Sequence, residues 1–313
     1  MRRALAALAL AASALSAHGA ERFSFAAFGD TPYFGFEERA VERLIAGFAG
    51  ANVAFAVHVG DFKLGVAPCS DELFADRRRL FDASPVPLVF VPGDNEWTDC
   101  GGALAGGHDP LERLARLRTL FHAGDASLGR RTIRLARQSA DPRFAAYREN
   151  VRWEFGGVVF ATLNIPGSNN NLRRDGSTDA EHAARMAANL AWLADAARRA
   201  RADEAAGLVV FAHGDPGFER PPRPLDGYVR FRAALQTHAA QLGKPLLFVH
   251  GDGHRYRVDQ PLGDPATGRR LARFTRLEVF GAPQVQWVRV DVDPANPRLF
   301  AIAPGDASPF AVP

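Results

Sequence analysis

The chain has 313 residues, 47% of them hydrophobic and 23% charged, which excludes the disordered and fibrous classes and leaves room for one large domain or two small ones. The formal net charge is +3, and the cations are nearly all arginine, with lysine only at Lys63 and Lys244. Runs such as Arg77-Arg78-Arg79 fall inside amphipathic patterns without interleaved aromatics, so no nucleic-acid partner is indicated.

The N-terminus opens with Arg2 and Arg3, an apolar stretch from Ala4 to Leu15, and Ala17-His18-Gly19 as a small-x-small site. This is the pattern of a secretory signal peptide over residues 1–19, and it predicts a periplasmic or secreted protein. No later segment is long and apolar enough to span a membrane, so none is expected in the mature chain. Strand candidates then alternate with helical patterns. Arg22 to Phe28, Val53 to Val59 and Leu88 to Val91 are strands, separated by helices near Glu37 to Phe48 and Asp71 to Phe81. A helix from Pro110 to Phe121 precedes two strands, Val151 to Phe155 and Val158 to Leu163, joined at Gly156-Gly157. A long helix from about Thr178 to Ala202 leads to strands at Leu208 to Ala212 and Leu246 to Val249, with a helix from Tyr228 to Leu242 between them. Phe274 to Val279 and Val285 to Val292 alternate more than the others, which suits an antiparallel edge or a second sheet. The pattern predicts an α/β fold over residues 20–293 and an irregular, Pro-rich tail over 294–313. Export also predicts that Cys69 and Cys100, the two cysteines, are joined.

Several strands end alike, at Gly29-Asp30, Gly60-Asp61 and Gly93-Asp94, then at His213-Gly214-Asp215 and His250-Gly251-Asp252. Each pair places an aspartate beyond the carboxyl edge of a sheet, where open α/β sheets bind ligands. Two carboxylates about 4 Å apart repel by on the order of 4 kcal/mol at an effective dielectric near 20. A divalent cation offsets that directly, and His213, His250 and His254 are ligands that zinc, iron and manganese accept.

From Asp30 to His254 the order Gly-Asp, Gly-Asp, Gly-Asp-Asn-Glu, His, Gly-Asp-Gly-His resembles the calcineurin-like metallophosphoesterases. It is most similar to a divergent, exported bacterial branch that opens on Gly-Asp-Thr-Pro-Tyr. The resemblance implies a two-sheet β-sandwich flanked by helices. It also implies hydrolysis of a small phosphate mono- or diester by a metal-activated water, without a covalent intermediate. By position, Asp30 matches the first aspartate of the family's Asp-x-His motif, whose histidine is Pro32 here. Asp61 matches the shared aspartate, Asp94 stands where the family has asparagine, and Asn95 stands where it has a proton-donating histidine. Glu96 is retained, His213 matches the isolated metal histidine, and Asp252 and His254 take the two places of Gly-His-x-His.

These matches give one cation position built from Asp61, Asp94, His213 and Asp252, and a second, one ligand short, from Asp30, Asp61 and His254. One or two divalent ions are expected, from Mn, Mg, Ca, Fe and Zn, the oxygen-rich set favouring the first three. Asn95 is expected to orient the phosphate. His250, or else His58 or His108, is the candidate to supply the missing proton. Asn169, Asn170 and Arg173, in the loop after Asn164, are candidates for substrate contact. The alternative reading is a non-catalytic metal- or anion-binding protein on the same fold, favoured by Pro32 and Asn95.

Overall fold

The computed structural model describes residues 21–172, 176–202, 204–221 and 223–305. The expected signal peptide and the end of the tail lie outside the described residues. In chain order the strands are β1 (Phe23–Phe28), β2 (Ala56–His58), β3 (Leu88–Phe90), β4 (Ala136–Arg137), β5 (Val151–Phe155) and β6 (Val158–Thr162). They continue with β7 (Gly207–Phe211), β8 (Leu246–His250), β9 (Arg257–Asp259), β10 (Phe274–Glu278), β11 (Val288–Val292) and β12 (Phe300–Pro304). The helices are α1 (Gly35–Gly47), α2 (Asp71–Asp82), α3 (Pro110–Phe121), α4 (Gly176–Ala200) and α5 (Val229–Leu242).

Two sheets form, in the order β12-β11-β1-β2-β3 and β4-β5-β6-β7-β8-β10-β9. β1, β2 and β3 run parallel, as do β6, β7, β8 and β10. The central strands are buried on both faces, so successive residues serve different cores. Phe25, Val57, Val89, Phe160, Phe211 and Val249 meet between the sheets. Their neighbours Ala26, Phe28, Leu88 and Phe90 pack under α1–α3, and Val210, Phe248 and Leu208 pack under α4 and α5. The result is four layers, helices–sheet–sheet–helices.

Local chemistry explains where the helices start. Ser70 accepts from Leu73 N at the head of α2, and Asp109 accepts from Leu111 N and Glu112 N ahead of Pro110 in α3. The tail corrects one expectation. Pro-rich sequence reads as irregular, yet residues 300–304 pair antiparallel with β11 as an edge strand, the position where proline is tolerated in a sheet. β10 is also not an antiparallel edge strand, since it pairs parallel with β8 and carries β9 outside it. Cys69 and Cys100 are joined, and both are buried among the aromatics under the first sheet, in place of the polar loops their neighbours suggest. Closing a loop of 31 residues stabilises by roughly 3–4 kcal/mol in the chain-entropy picture. Among the described residues no helix is long and apolar enough to cross a membrane.

Candidate metal centre

The parallel strands of both sheets point their carboxyl ends the same way, and the loops that leave them converge. Asp30, Asp61 and Asp94 follow β1, β2 and β3; His213 and Asp252 follow β7 and β8. Asp30, Asp61 and His213 form one group of donors, and Asp94, His213 and Asp252 a second; within each group the donor atoms lie within 4.8 Å of one another. His213 is common to both groups. Its Nε2 lies 2.9 Å from Asp94 Oδ1, 3.4 Å from Asp61 Oδ1 and 3.9 Å from Asp252 Oδ1. His254 joins from the far side, with Nε2 3.5 Å from Asp30 Oδ1.

The turns that aim these groups are strained. Asp30 (φ 52°), Asp61 (φ 58°), Asp252 (φ 72°) and His254 (φ 56°) all have left-handed backbone, which L-residues adopt only where surrounding structure enforces it. Gly60, at φ 99°, allows a close approach: a Cβ there would lie 2.6 Å from His213 Nδ1.

Hydrogen bonding leaves lone pairs facing one point. His213 Nδ1–H donates to Val59 O at 2.8 Å, which turns Nε2 toward the carboxylates. That nitrogen and Asp94 Oδ1 are buried and make no directed hydrogen bond. His254 is set the same way, its Nδ1–H donating to Ala282 O at 2.9 Å. The carboxylates are held by hydrogen-bond donors. Asp252 N donates to Asp30 Oδ1 at 3.0 Å, Asn95 N to Asp61 Oδ1 at 3.0 Å, and Asp215 N to Asp252 Oδ2 at 2.9 Å. Ser168 Oγ donates to Asp94 Oδ2 at 2.6 Å. Buried donors left unpaired and pointed at a common centre, with their orienting bonds complete behind them, are the arrangement a cation site needs.

Electrostatics agree. Burial, with Asp94 and Asp61 nearby, outweighs the pull of His213 and pushes Asp252 up to about 7. Burial disfavours a charged His213 ring, yet Asp61, Asp94 and Asp30 outweigh it and hold its pKa well above the ordinary value. The hydrogen bond to Asp30 raises His254 to about 9 despite partial burial. Without a cation the cluster balances its negative charge by holding protons, and a divalent ion does the same work more directly.

The other candidates divide. Asn95 is at the centre, donating from Nδ2 to Lys63 O at 3.0 Å and Tyr33 Oη at 3.2 Å. His250 is not: its Nδ1–H donates to Gly251 O, its ring stacks on Phe248, and burial lowers it to about 4. No hydrogen bond joins it to the cluster. As the last residue of β8 it shares the helix-facing side with Phe248, so strand alternation turns it away from the site. His58 is spent on backbone, donating from Nε2 to Thr31 O and accepting at Nδ1 from Gly60 N. His108 lies against Gly106 in the loop before α3, with no hydrogen bond to the cluster. Asn169 and Asn170, expected to contact substrate, instead brace their own loop. Asn169 Oδ1 accepts from Gly227 N at 3.0 Å; Asn170 Nδ2 donates to Gly227 O and its Oδ1 accepts from Arg185 Nη1. Arg173 lies outside the described residues. Asp215 serves the turn after His213, accepting from Gly217 N and Arg220 Nη2.

Four participants escape the sequence reading: Tyr33, Lys63, Gly167 and Ser168. Lys63 is buried and donates to Asn95 O at 2.6 Å, holding that residue's backbone. Gly167 packs so closely that a Cβ would lie 2.5 Å from both Asp94 Oδ1 and Asp252 Oδ1. Tyrosine in the Gly-Asp-Thr-Pro-Tyr segment was the available signal for the first; the others depend on contacts distant in sequence. A cleft of about 710 Å³ lined by Phe218, Glu219, Val258 and Ile302 contains none of these residues.

No protein-family model matches the sequence, and no curated protein matches it. Solved structures do. A dimetal phosphatase from Danio rerio is similar with a TM-score of 0.57 at 11% identity, covering 91% of this chain and 99% of that one. PhoD is similar with a TM-score of 0.54 at 12% identity, covering 90% of this chain and 68% of that one. At such identities the likeness is one of fold: the chain carries the two-sheet, helix-flanked fold of these phosphatase structures.

Proposed function

We propose that the protein is an exported, metal-dependent phosphoesterase acting on a small phosphate mono- or diester. The observation that carries this reading is the buried, unpartnered Nε2 of His213 facing three aspartates from two sheets. A divalent ion in such a donor set polarises a phosphoryl oxygen and lowers the pKa of water. Asp61, Asp94, His213 and Asp252 hold one cation, and Asp30, Asp61 and His254 contribute to a second. Asn95 Nδ2, which donates to Lys63 O and Tyr33 Oη, would turn one of its hydrogens to a phosphoryl oxygen, with Lys63 holding its backbone. Asn95 cannot donate a proton as histidine does, a loss worth about 10²–10⁴-fold where the leaving group needs protonation. Esters with acidic leaving groups are therefore the preferred substrates.

The test is a metal-supplemented assay with aryl phosphate mono- and diesters. The expected result is turnover that chelation and Asp61→Ala both abolish and that favours the more acidic phenols. Activity surviving Asp61→Ala rejects the site. Metal binding without turnover on any ester supports the second reading, a binding protein, for which Pro32 and Asn95 are the favouring observations. Cell fractionation of the full chain checks export.

A further inference from the structure

The second sheet carries a cleft at its β4–β5 edge, about 710 Å³ in volume, that no residue of the metal centre lines. Five arginines line it against two carboxylates, Asp125 and Glu154. Arg152 and Arg199 are matched, since both pair with Asp195 of α4. Arg134, Arg137 and Arg148 are not. The Arg137 side chain is 3% exposed, yet its one ion pair among the described residues is a long one, 3.7 Å from Nε to the solvated Asp125. Its Nε and Nη1 donate to carbonyls instead, Gly124 O and, at 2.6 Å, Arg148 O. Arg148 does the same, donating from Nε to His122 O at 2.9 Å and from Nη2 to Ala123 O. Among the described residues Arg137 Nη2 and Arg148 Nη1 have no acceptor, and the exposed Arg134 pairs with no carboxylate. Trp153 of β5 also lines the cleft, and its buried Nε1–H has no acceptor either. Burial, and then Arg148, lowers Arg137 to about 10 against the pull of Asp125 and Glu149. Glu149 is itself committed to Arg118, through two hydrogen bonds of 2.6 and 2.8 Å.

A buried cation is ordinarily matched by a carboxylate, because leaving its charge uncompensated is costly. This cleft instead gathers positive charge and N–H donors with few acceptors of its own. Planar guanidinium forks match the oxygens of phosphate-type anions, and three of them suit one that carries more than a single charge. We propose that the cleft binds a multiply charged phosphate-type oxyanion, held by Arg134, Arg137 and Arg148. The site is separate from the metal centre, and neither metal binding nor turnover enters the inference.

Isothermal titration of the full mature chain with inorganic phosphate and with pyrophosphate tests this. The protein is first stripped of metal and the chelator dialysed away, so that the carboxylate cluster repels anions and any binding reports on the cleft. The expected result is one equivalent of pyrophosphate, bound more tightly than phosphate. Arg137→Gln and Arg134→Gln should each weaken it at least about tenfold, the scale of one charge-assisted hydrogen bond. Arg39→Gln, which removes an exposed charge from α1, should leave it unchanged. Arg137 also holds two carbonyls, so its variant can fail to fold; Arg134 is exposed, and its variant keeps the test open. A third readout needs no variant: the urea midpoint of the wild type should rise in pyrophosphate relative to chloride at matched ionic strength. Wild type that binds neither anion overturns the proposal. So does an Arg134→Gln protein with wild-type affinity, or an equal loss in Arg39→Gln, which would reduce the effect to overall charge. Pyrophosphate binding that depends on Arg134 in a protein that turns over no ester supports the site and leaves only the hydrolase reading to fail.

Discussion

Gly167 lies so close to Asp94 and Asp252 that a single methyl group tests the metal centre. Its φ is not among the left-handed ones, so alanine suits its backbone. An added Cβ would still sit 2.5 Å from Asp94 Oδ1 and Asp252 Oδ1, closer than real Cβ contacts come. The carboxylates must part to admit it. Gly167→Ala is expected to weaken cation binding by at least about tenfold, on the scale of other losses of ligand orientation. Isothermal titration with Mn²⁺ measures this, and unchanged affinity would show that the cation does not lie between these carboxylates. At this scale the sequence disclosed what is local. A glycine-aspartate pair after an apolar strand carries its meaning in adjacent residues, and Asp30, Asp61, Asp94 and Asp252 were legible for that reason. Tyr33 was not, because its partners Asp61 and His254 are 28 and 221 residues away. His250 was misread for a different reason. Its neighbourhood looked like a motif, while the alternation of β8 had already directed it to the helix side.

The loop between β6 and α4 shows how an element can be built around a site. Ser168, Asn169, Asn170 and Asn171 have φ of 49°, 56°, 53° and 59°, a left-handed turn of four L-residues. The serine costs roughly 1–2 kcal/mol relative to right-handed backbone and the asparagines less, and the turn is braced from outside. Arg185 of α4 provides much of the bracing. It is fully buried, donates from Nη1 to Asn164 O and from Nη2 to Asn170 O, and lies over the Trp97 ring. The strain delivers Ser168 Oγ to Asp94 Oδ2 at 2.6 Å and Asp99 Oδ1 at 3.1 Å. Ser168→Ala and Ser168→Gly both remove that hydroxyl, and only the second relieves the backbone. The glycine variant is expected to be more stable than the alanine variant by about 1–2 kcal/mol. Both should bind cation about 10–100-fold more weakly than wild type. Urea unfolding and metal titration on the same samples check the two effects separately; wild-type affinity in either variant would remove Ser168 from the orienting shell. Helices and strands with clear periodicity were legible in the sequence, and so were their order and most ends. This turn was not, because three successive asparagines look like a solvated loop until Arg185 and Gly227 are placed beside them.

At the scale of the molecule, the centre joins two sheets. Asp30, Asp61 and Asp94 come from the first, His213 and Asp252 from the second, and the aromatic core lies between them. The α/β alternation was legible in the pattern and the two-sheet sandwich in the family resemblance, whereas the pairing of β1 with β11 was not, since strand partners at opposite ends of the chain leave no local mark. This arrangement predicts how cation binding enters global stability. In the metal-free protein, buried carboxylates from both sheets repel across the seam, and burial together with that repulsion is why Asp252 stands near 7. A cation binds only when the sheets hold all its ligands together, so it stabilises the folded state by mass action. At a free concentration of 100 times its Kd the gain is about 2.7 kcal/mol. Urea unfolding in saturating Mn²⁺ should therefore show a higher midpoint than in chelator, with the aromatic cores keeping the metal-free protein folded. Asp61→Asn removes a ligand and a repelling charge at once, so the variant should show little midpoint difference between the two conditions. In chelator it should be no less stable than wild type. If wild-type curves coincide with and without cation, or if Asp61→Asn responds to Mn²⁺ as wild type does, the cation does not bridge the sheets at Asp61.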